Sequence, residues 1–164
     1  MFDDVKALFT NLIFLSTVSS FVCAQVLKGI LFIYNGYLNK KRELVKVFVW
    51  RTGGMPSSHA AVVCSLCTSI FFLEKLTSNL FIFSVWFTLV VMRDALGVRR
   101  SAGLQARALN NLGRQISDNS GIIFHPVKEI QGHTPLEVAV GGLLGIFIAA
   151  GFASVKPVVS LWFL

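Results

Sequence analysis

Two histidines in this sequence stand at the entrances to apolar segments, in surroundings that suit an anion. His59 ends the stretch G-G-M-P-S-S-H at residues 53–59, which leads directly into an apolar segment. Glycine, proline and serine at that point are typical of a helix N-terminus, where free backbone N–H groups and the helix dipole can hold a phosphate. His133 stands at the entrance to a later apolar segment. Both imidazoles are therefore candidates for a phosphate site.

Charged residues cluster at two further places that border apolar segments. One is R-D-A-L-G-V-R-R at residues 93–100, and the other is K-E-I-Q-G-H-T-P-L-E at residues 128–137. Together with the first turn, these clusters offer the groups needed for phosphoryl transfer through a covalent phosphohistidine. One histidine would attack phosphorus, a carboxylate would orient it, and the second histidine would protonate the leaving oxygen. Because arginine, lysine and helix-terminal N–H groups would bind the other oxygens, no metal or other cofactor is expected.

The composition is that of a membrane protein. Of the 164 residues, 54% are hydrophobic and only 14% are charged, and the mean hydropathy is +0.70. These values are far from those of a soluble domain, and the length fits a single integral membrane domain over residues 1–164. The formal net charge of +7 does not indicate nucleic acid, because no basic run is interleaved with aromatic residues outside the apolar segments.

The apolar segments predict an all-α, polytopic bundle of about four membrane-spanning helices. We expect the spans near residues 8–34, 58–73, 80–94 and 136–155. Between the last two, residues 102–116 form an amphipathic pattern with Leu104, Ala108 and Leu112 on one face, which predicts an interfacial or packed helix. Gly141 and Gly145 have the G-x-x-x-G spacing that favours close helix packing in lipid, so a homodimer is a candidate assembly.

The distribution of charge predicts the orientation in the membrane. The polar segments after the first and third spans contain ten of the fifteen Lys and Arg residues, and Arg93 stands at the end of the third span. The first of these segments carries Lys40, Lys41, Arg42, Lys46 and Arg51. The positive-inside rule places both segments, and with them all three clusters, in the cytoplasm. We therefore expect a cell (inner) membrane protein whose site faces the cytoplasm, although the same cations could serve a phosphate site instead.

The motifs resemble a known superfamily. P-S-S-H at residues 56–59 resembles the P-S-G-H signature of type 2 phosphatidic acid phosphatases and vanadium haloperoxidases, and H-x-x-x-E from His133 to Glu137 resembles the end of their S-R-x5-H-x3-D signature. The ordered set G-G-M-P-S-S-H, D-A-x-G-V-R-R with a following Q-A-x-x-L-N, and K-E-x-x-G-H-T-P-x-E-V resembles more closely a divergent branch of small membrane proteins related to that superfamily. The resemblance covers about residues 24–145.

The resemblance implies an all-helical fold with a phosphatase-like site, in which His133 is the nucleophile and His59 the general acid. The sequence departs from the superfamily pattern at several positions. Ser58 replaces the glycine of P-S-G-H, and Glu137 replaces the usual aspartate. No S-R pair precedes His133, and Lys128 is the nearest cation. The upstream K-x6-R-P signature is also absent, so Lys28, Lys46 with Arg51, or Arg99 with Arg100 would have to supply its charges.

The predicted site residues fall into two groups. The catalytic candidates are His133, His59, Glu137 and Asp94. The candidates for binding the substrate phosphate are Arg99, Arg100, Ser57, Ser58, Lys128 and Lys28. No metal ligand is predicted.

Several of these residues have structural interpretations that the sequence leaves open. Ser57 and Ser58 could simply cap a helix that begins after Pro56. T-P-L-E at residues 134–137 matches a capping box, so Glu137 could hold a backbone amide instead of His133. Asp94 would then be an alternative orienting carboxylate, and the two could share the work. Lys28 lies inside the first span, where it could bind phosphate or a partner, or snorkel to the interface.

The function most consistent with these features is hydrolysis of a phosphate ester or pyrophosphate on a lipid, whose tail stays in the bilayer. A non-enzymatic membrane protein that binds phosphate or phospholipid headgroups is the main alternative. A metal-dependent hydrolase using His59, His133, Asp94 and Glu137 is a third interpretation, which the many neighbouring cations disfavour. Haloperoxidase chemistry would need vanadate in the same pocket, and nothing in the sequence selects for it.

Overall fold

The computed structural model describes residues 2–34, 54–129 and 132–160, and most of these residues are helical. The helices are α1 Phe2–Thr10, α2 Leu12–Tyr34, α3 Ser58–Leu73, α4 Asn79–Leu96, α5 Val98–Ser120 and α6 Pro135–Ser160. The predicted all-α bundle is confirmed. Two parts of the sequence analysis lie outside the described residues. They are Gly53 and the basic segment with Lys40, Lys41, Arg42, Lys46 and Arg51, which supplied half of the cations used to predict the orientation.

The lengths of the helices fit a membrane bundle with one short member. Three helical stretches are long and apolar enough to cross a bilayer: Leu12–Tyr34, the run Asn79–Ser120 that joins α4 to α5, and Pro135–Val155. Helix α3 has 16 residues and covers about 24 Å, which is less than the hydrocarbon thickness of about 30 Å. Its bounds agree with the predicted span at residues 58–73.

The first predicted span is divided at Asn11. The Asn11 carboxamide oxygen accepts hydrogen bonds from the backbone N–H groups of Ile13 at 2.9 Å and Phe14 at 3.3 Å. Such bonds are those of a helix N-cap, because they satisfy donors that have no partner within the helix. The structure therefore has a separate nine-residue α1 before α2, where the sequence predicted one segment from residue 8.

Helices α3 and α6 form the most extensive contact in the bundle. A Cβ on Gly141 would meet the carbonyl oxygen of Ser57, and a Cβ on Gly145 would meet that of Ala61. The two glycines thus let the backbones of α3 and α6 approach closely, as small residues do in membrane helix pairs. The G-x-x-x-G face thus packs against α3 within the chain, and the homodimer considered from the sequence stays a prediction.

Hydroxyl groups and small residues line the antiparallel contact between α2 and α3. The hydroxyls of Ser16 and Ser69 lie 2.6 Å apart, and one turn nearer the site Ser20 and Ser65 are fully buried. Lipid tails are as apolar as leucine, so no hydrophobic force drives helices together in a membrane. Close van der Waals contact and hydrogen bonds such as this one hold them instead. The contact between α2 and α3 ends at Lys28, which lies beside the turn that precedes α3.

Helix α5 stands apart from the rest of the bundle. Among the described helices it contacts α4 alone, and it is longer than the predicted 102–116. It ends at Gly121, whose φ of +70° is the left-handed conformation of a helix C-cap. The chain then returns along α5 through residues 121–129 and 132–134, which are not helical. These described residues, called the return segment, bring Lys128 and His133 back to the bundle.

The α3–α6 contact yields a stability prediction. Gly145→Val should lower the melting temperature in detergent, because its side chain would collide with the Ala61 carbonyl and cost about 1–3 kcal/mol. The control is Gly151→Val in the same helix, since a Cβ at Gly151 meets no atom within 4 Å. Melting curves measured by size-exclusion chromatography after heating would compare the two. Equal melting temperatures would show that the glycine contact is not needed for stability.

Candidate phosphate site

The turn before α3 is tied directly to the first turn of α6. The backbone N–H of Ser57 donates to the carbonyl oxygen of Glu137 at 3.0 Å. Ser57 also caps α3, because its hydroxyl accepts from the N–H of Ala60 at 3.4 Å. Gly54 has φ +89°, a left-handed conformation that glycine adopts without strain. These contacts place the beginnings of α3 and α6 side by side, and with them the two histidines.

His133 is buried and paired with a carboxylate. Its side chain lies just before α6, the residue is 4% exposed, and Nδ1 is 3.1 Å from Oε2 of Glu137. A carboxylate accepts hydrogen bonds only, so in the neutral imidazole Nδ1 carries the proton and Nε2 has the lone pair. The nitrogen that faces away from Glu137 is therefore the one suited to nucleophilic attack.

Glu137 both caps α6 and contacts His133, which the sequence left as alternative roles. The oxygen that contacts His133, Oε2, also accepts the backbone N–H of Thr134 at 3.0 Å. The Glu137 N–H in turn donates to the Thr134 hydroxyl at 3.4 Å, which completes a capping box. The carboxylate is thereby fixed by the helix start and cannot turn away from His133 without breaking the cap.

His59 lies beside His133 on the exposed rim of the site. The ring centroids are 6.5 Å apart and the ring planes are inclined by 60°. His59 is exposed whereas His133 is buried. General acid catalysis needs the acid within about 3 Å of the leaving oxygen, and attack needs about 3–3.5 Å between the reacting atoms. Two rings at this separation are within reach of one phosphoryl group.

Two cations lie around the histidines. Lys28 is 6% exposed, and its Cγ is 4.0 Å from the position of a Cβ on Gly54. Its charge interacts with those of Glu137 and His59. Arg99 also acts on His59, and its Nε is held by Oδ2 of Asp94 at 2.7 Å. Lys28 is therefore buried beside the turn that precedes α3, and its role as a phosphate ligand stays a prediction.

The carboxylate in contact with His133 is Glu137, and Asp94 instead holds Arg99. Both members of the Asp94–Arg99 pair are about 40% exposed, so this contact orients the guanidinium more than it stabilises the fold. Within the described part of the chain, no three His, Cys, Asp or Glu side chains are close enough to hold one metal ion.

The other predicted phosphate ligands lie at different depths. Ser58 is buried in the first turn of α3. Arg100 is exposed, and its backbone lies against Gly132, where a Cβ would collide with it. Lys128 is exposed on the return segment. Neither Arg100 nor Lys128 forms an ion pair with a described residue, so both charges are free to meet an anion.

The residue whose role the sequence did not reveal is Asn110 of α5. Its amide donates to the Val127 carbonyl at 2.9 Å and accepts the Val127 N–H at 2.9 Å. It also donates to Glu129 at 3.0 Å, and this bond is the main cause that lowers the pKa of Glu129 below its ordinary value. Asn110 is 3% exposed. It holds the return segment that carries His133 to the site.

The positions of two glycines in α5 indicate that this helix contacts another segment at Asn110. Asn110 shares one helical face with Gly103 and Gly113, and these three are the buried residues of the helix. A Cβ on Gly113 would strike the ring of Phe124, so this glycine makes room for the return segment. A polar residue between two glycines on one face is unusual for a helix that only lies on lipid.

The chain is similar to a known family of proteins. A family model described as "Divergent PAP2 family" matches residues 9–148, a range that contains every residue of the site described above. The chain is also similar to "Uncharacterized membrane protein YuiD" of Bacillus subtilis (strain 168). The two are 39% identical over 153 residues, which cover 86% of this chain and 93% of that protein. No solved structure gives a significant match.

The role of Asn110 can be tested against its neighbour. Asn110→Ala should raise hydrogen exchange at the Val127 amide, because the two bonds to the Val127 backbone together contribute about 1–3 kcal/mol. Asn111→Ala is the matched control, since Asn111 is exposed on the same helix. Unchanged exchange in Asn110→Ala would contradict the role of this residue.

The same contact predicts a dependence on pH. Because the folded-state pKa of Glu129 is lowered, the stabilisation from its ionised form is present above the unfolded pKa. It is lost as the pH falls through the folded pKa. The difference in stability between the wild type and Asn110→Ala should therefore shrink in acid, as followed by melting curves across the acidic range. A difference that grew in acid would contradict the Asn110–Glu129 contact.

Proposed function

This chain belongs to the divergent PAP2 family, and on that premise we propose that it is a membrane phosphatase that hydrolyses a phosphate ester or pyrophosphate on a lipid. The observation that carries the proposal is the His133–Glu137 contact of 3.1 Å with the His59 ring beside it. A carboxylate on one nitrogen of a buried histidine, with a second imidazole nearby, is the arrangement that a phosphohistidine intermediate requires.

In the first step Nε2 of His133 attacks phosphorus. The bond from phosphorus to the leaving oxygen breaks, and His59, as imidazolium, gives that oxygen its proton. His133 becomes a phosphohistidine, and Glu137 stabilises the positive charge that develops on its ring. A phosphate ester yields a lipid with a neutral hydroxyl, and a pyrophosphate yields the lipid monophosphate.

In the second step water attacks the phosphohistidine. His59 is now neutral and accepts the proton of that water, because the acid of one step is the base of the other. The P–N bond breaks, inorganic phosphate leaves, and both histidines return to their starting states. The exposed position of His59 supports this role, since it must meet both the leaving group and the incoming water.

Charge and helix termini would stabilise the transferred group. Lys28 and Arg99 supply positive charge beside His59, and Asp94 holds Arg99 in place. The first two N–H groups of α3, those of Ser58 and His59, bond to no described residue. They are therefore free to donate to phosphoryl oxygens, as in other anion sites at helix N-termini.

The position of the site supports a lipid substrate. The site lies at the end of the bundle, where α3 and α6 begin and α4 ends, so a headgroup could enter while its tail remained in the bilayer. With the charge distribution of the sequence, this favours the cytoplasmic face of the cell (inner) membrane. Arg100 and Lys128 would attract the anionic headgroup from the surface.

One observation favours the alternative of a non-enzymatic protein that binds phosphate or phospholipid headgroups. Oε2 of Glu137 is shared between His133 and the Thr134 N–H, and a purely structural capping box would place the carboxylate in the same way. The two functions differ in turnover and not in the ligand that they recognise.

Turnover is tested with the purified protein in mixed micelles and a panel of lipid phosphates and pyrophosphates, in the presence of EDTA. We expect release of inorganic phosphate that His133→Ala reduces to background. His125→Ala is the control, because this third histidine is exposed on the return segment. No release from any lipid would favour the binding function, and activity lost in EDTA would indicate a metal-dependent reaction.

The two carboxylates should affect different kinetic constants. Glu137→Gln preserves the capping box but removes the charge beside His133, so kcat should fall on the order of 100-fold with the melting temperature unchanged. Asp94→Asn releases Arg99, and the main change should be a higher KM. Steady-state kinetics on one substrate would separate these effects. A similar loss of kcat in both variants would contradict the assignment of Glu137 as the orienting carboxylate.

A further inference from the structure

A groove of about 1120 Å³ lies in the angle between α4 and α5. Its volume is slightly above the usual range for small-molecule pockets, which is about 300–1,000 Å³. Six of its lining residues are Leu89, Met92, Arg93, Leu96, Val98 and Ala102. On α4 these residues occupy a different face from Ser84, Thr88 and Ala95, which are the buried residues of that helix. The groove, hereafter the elbow groove, is thus distinct from the histidine site.

Both walls of the elbow groove include apolar residues that the bundle leaves uncovered, whereas Met92 and Leu96 also pack against the core of the bundle. Leu89 of α4 is 51% exposed and Val98 of α5 is 68% exposed. At helical spacing the α5 wall continues through Leu109, Leu112 and Ile116, which are also exposed. Since α4 belongs to a membrane-spanning stretch, its wall faces lipid. The apolar face of α5 therefore continues a lipid-facing surface at the level where the span ends.

The charges around the elbow groove define the kind of lipid. Arg93 lines the groove in the last turn of α4 and is exposed. It has no ion-pair partner in the part of the chain that the structure describes, because the adjacent Asp94 is bound to Arg99. A guanidinium beside an apolar groove at the membrane surface matches a phosphate group joined to an acyl chain.

The opposite side of α5 carries cations that disfavour a second copy of the chain as the occupant. Arg100, Arg107 and Arg114 follow one another at seven-residue spacing, which places them on one face away from Val98 and its apolar neighbours, and all three are exposed. A second copy of the chain in the groove would bring equal charges together. In the groove itself, an anionic lipid would neutralise Arg93, whereas a zwitterionic lipid would bring its own cation close to that guanidinium.

We propose that the elbow groove binds one anionic phospholipid, with its phosphate on Arg93 and an acyl chain between α4 and α5. The bound lipid holds α5 against the membrane surface, and α5 in turn holds the return segment and His133. The lipid is a fixed ligand and is not consumed, so the proposal does not depend on phosphatase activity.

The binding test uses wild-type protein from vesicles that contain equal amounts of phosphatidylglycerol and phosphatidylcholine. Native mass spectrometry after mild detergent extraction counts the lipids that remain bound. We expect one bound phosphatidylglycerol, and a fall of about fivefold in the ratio of bound phosphatidylglycerol to phosphatidylcholine in Arg93→Gln. Arg114→Gln is the matched control, because it removes the same charge on the opposite side of α5, and it should change the ratio much less.

A second variant tests the groove without a change in charge. Ser101→Trp would fill the groove from α5, since Ser101 lines it, and the bound lipid should be lost. Gln115→Trp, exposed elsewhere on α5, should retain it. Equal retention of both lipids with no effect of Arg93→Gln would overturn the proposal. A dimer mass without lipid, lost in Ser101→Trp, would also overturn it and assign the groove to a second copy. If Ser101→Trp did not fold, the Arg93→Gln result would still decide.

Discussion

Helix α6 can approach α3 closely because glycines stand at positions 141 and 145, where a Cβ would meet the carbonyl oxygens of Ser57 and Ala61. In lipid, no hydrophobic force drives helices together, so contact of this kind and a few hydrogen bonds must hold the pair. One such bond, from the Ser57 N–H to the Glu137 carbonyl, fixes the two helix starts in register. The adjacency of His59 and His133 is a consequence of that register.

The start of α6 shows that a structural and a chemical role need not compete. Glu137 holds the helix start through Thr134 and holds His133 with the same oxygen. A capping carboxylate loses little freedom by orienting a neighbouring ring, because the helix has already fixed it. Because one oxygen serves both contacts, removing the Glu137 side chain would disturb the helix cap and His133 together. Glutamine separates the two roles, since it keeps the cap and removes the charge beside His133.

The sequence predicted those parts of the fold that depend on local signals. The bounds of α3 follow from the Ser57 cap and from the length of its apolar run, and the polar clusters lie where the apolar segments begin and end. The break at Asn11 was missed because one asparagine hardly changes a hydropathy pattern. The role of Asn110 and the partner of Gly141 were not predictable in this way, because each depends on a segment distant in sequence that only the fold brings near.

The site divides between two parts of the structure that differ in how they are held. His59, Glu137 and Lys28 belong to the α2–α3–α6 core, whereas Arg99 begins α5, which contacts α4 alone among the described helices. Regions with few buried contacts open at lower free energy than a packed core. His59 and Glu137 are therefore preorganised, and under the proposed function the cations at α5 are the part of the site that can shift when a substrate arrives. For the lipid phosphatase proposed above, this combination would let a bulky headgroup enter before the cations surround its phosphate, whereas a wholly rigid ring of charges would exclude the substrate.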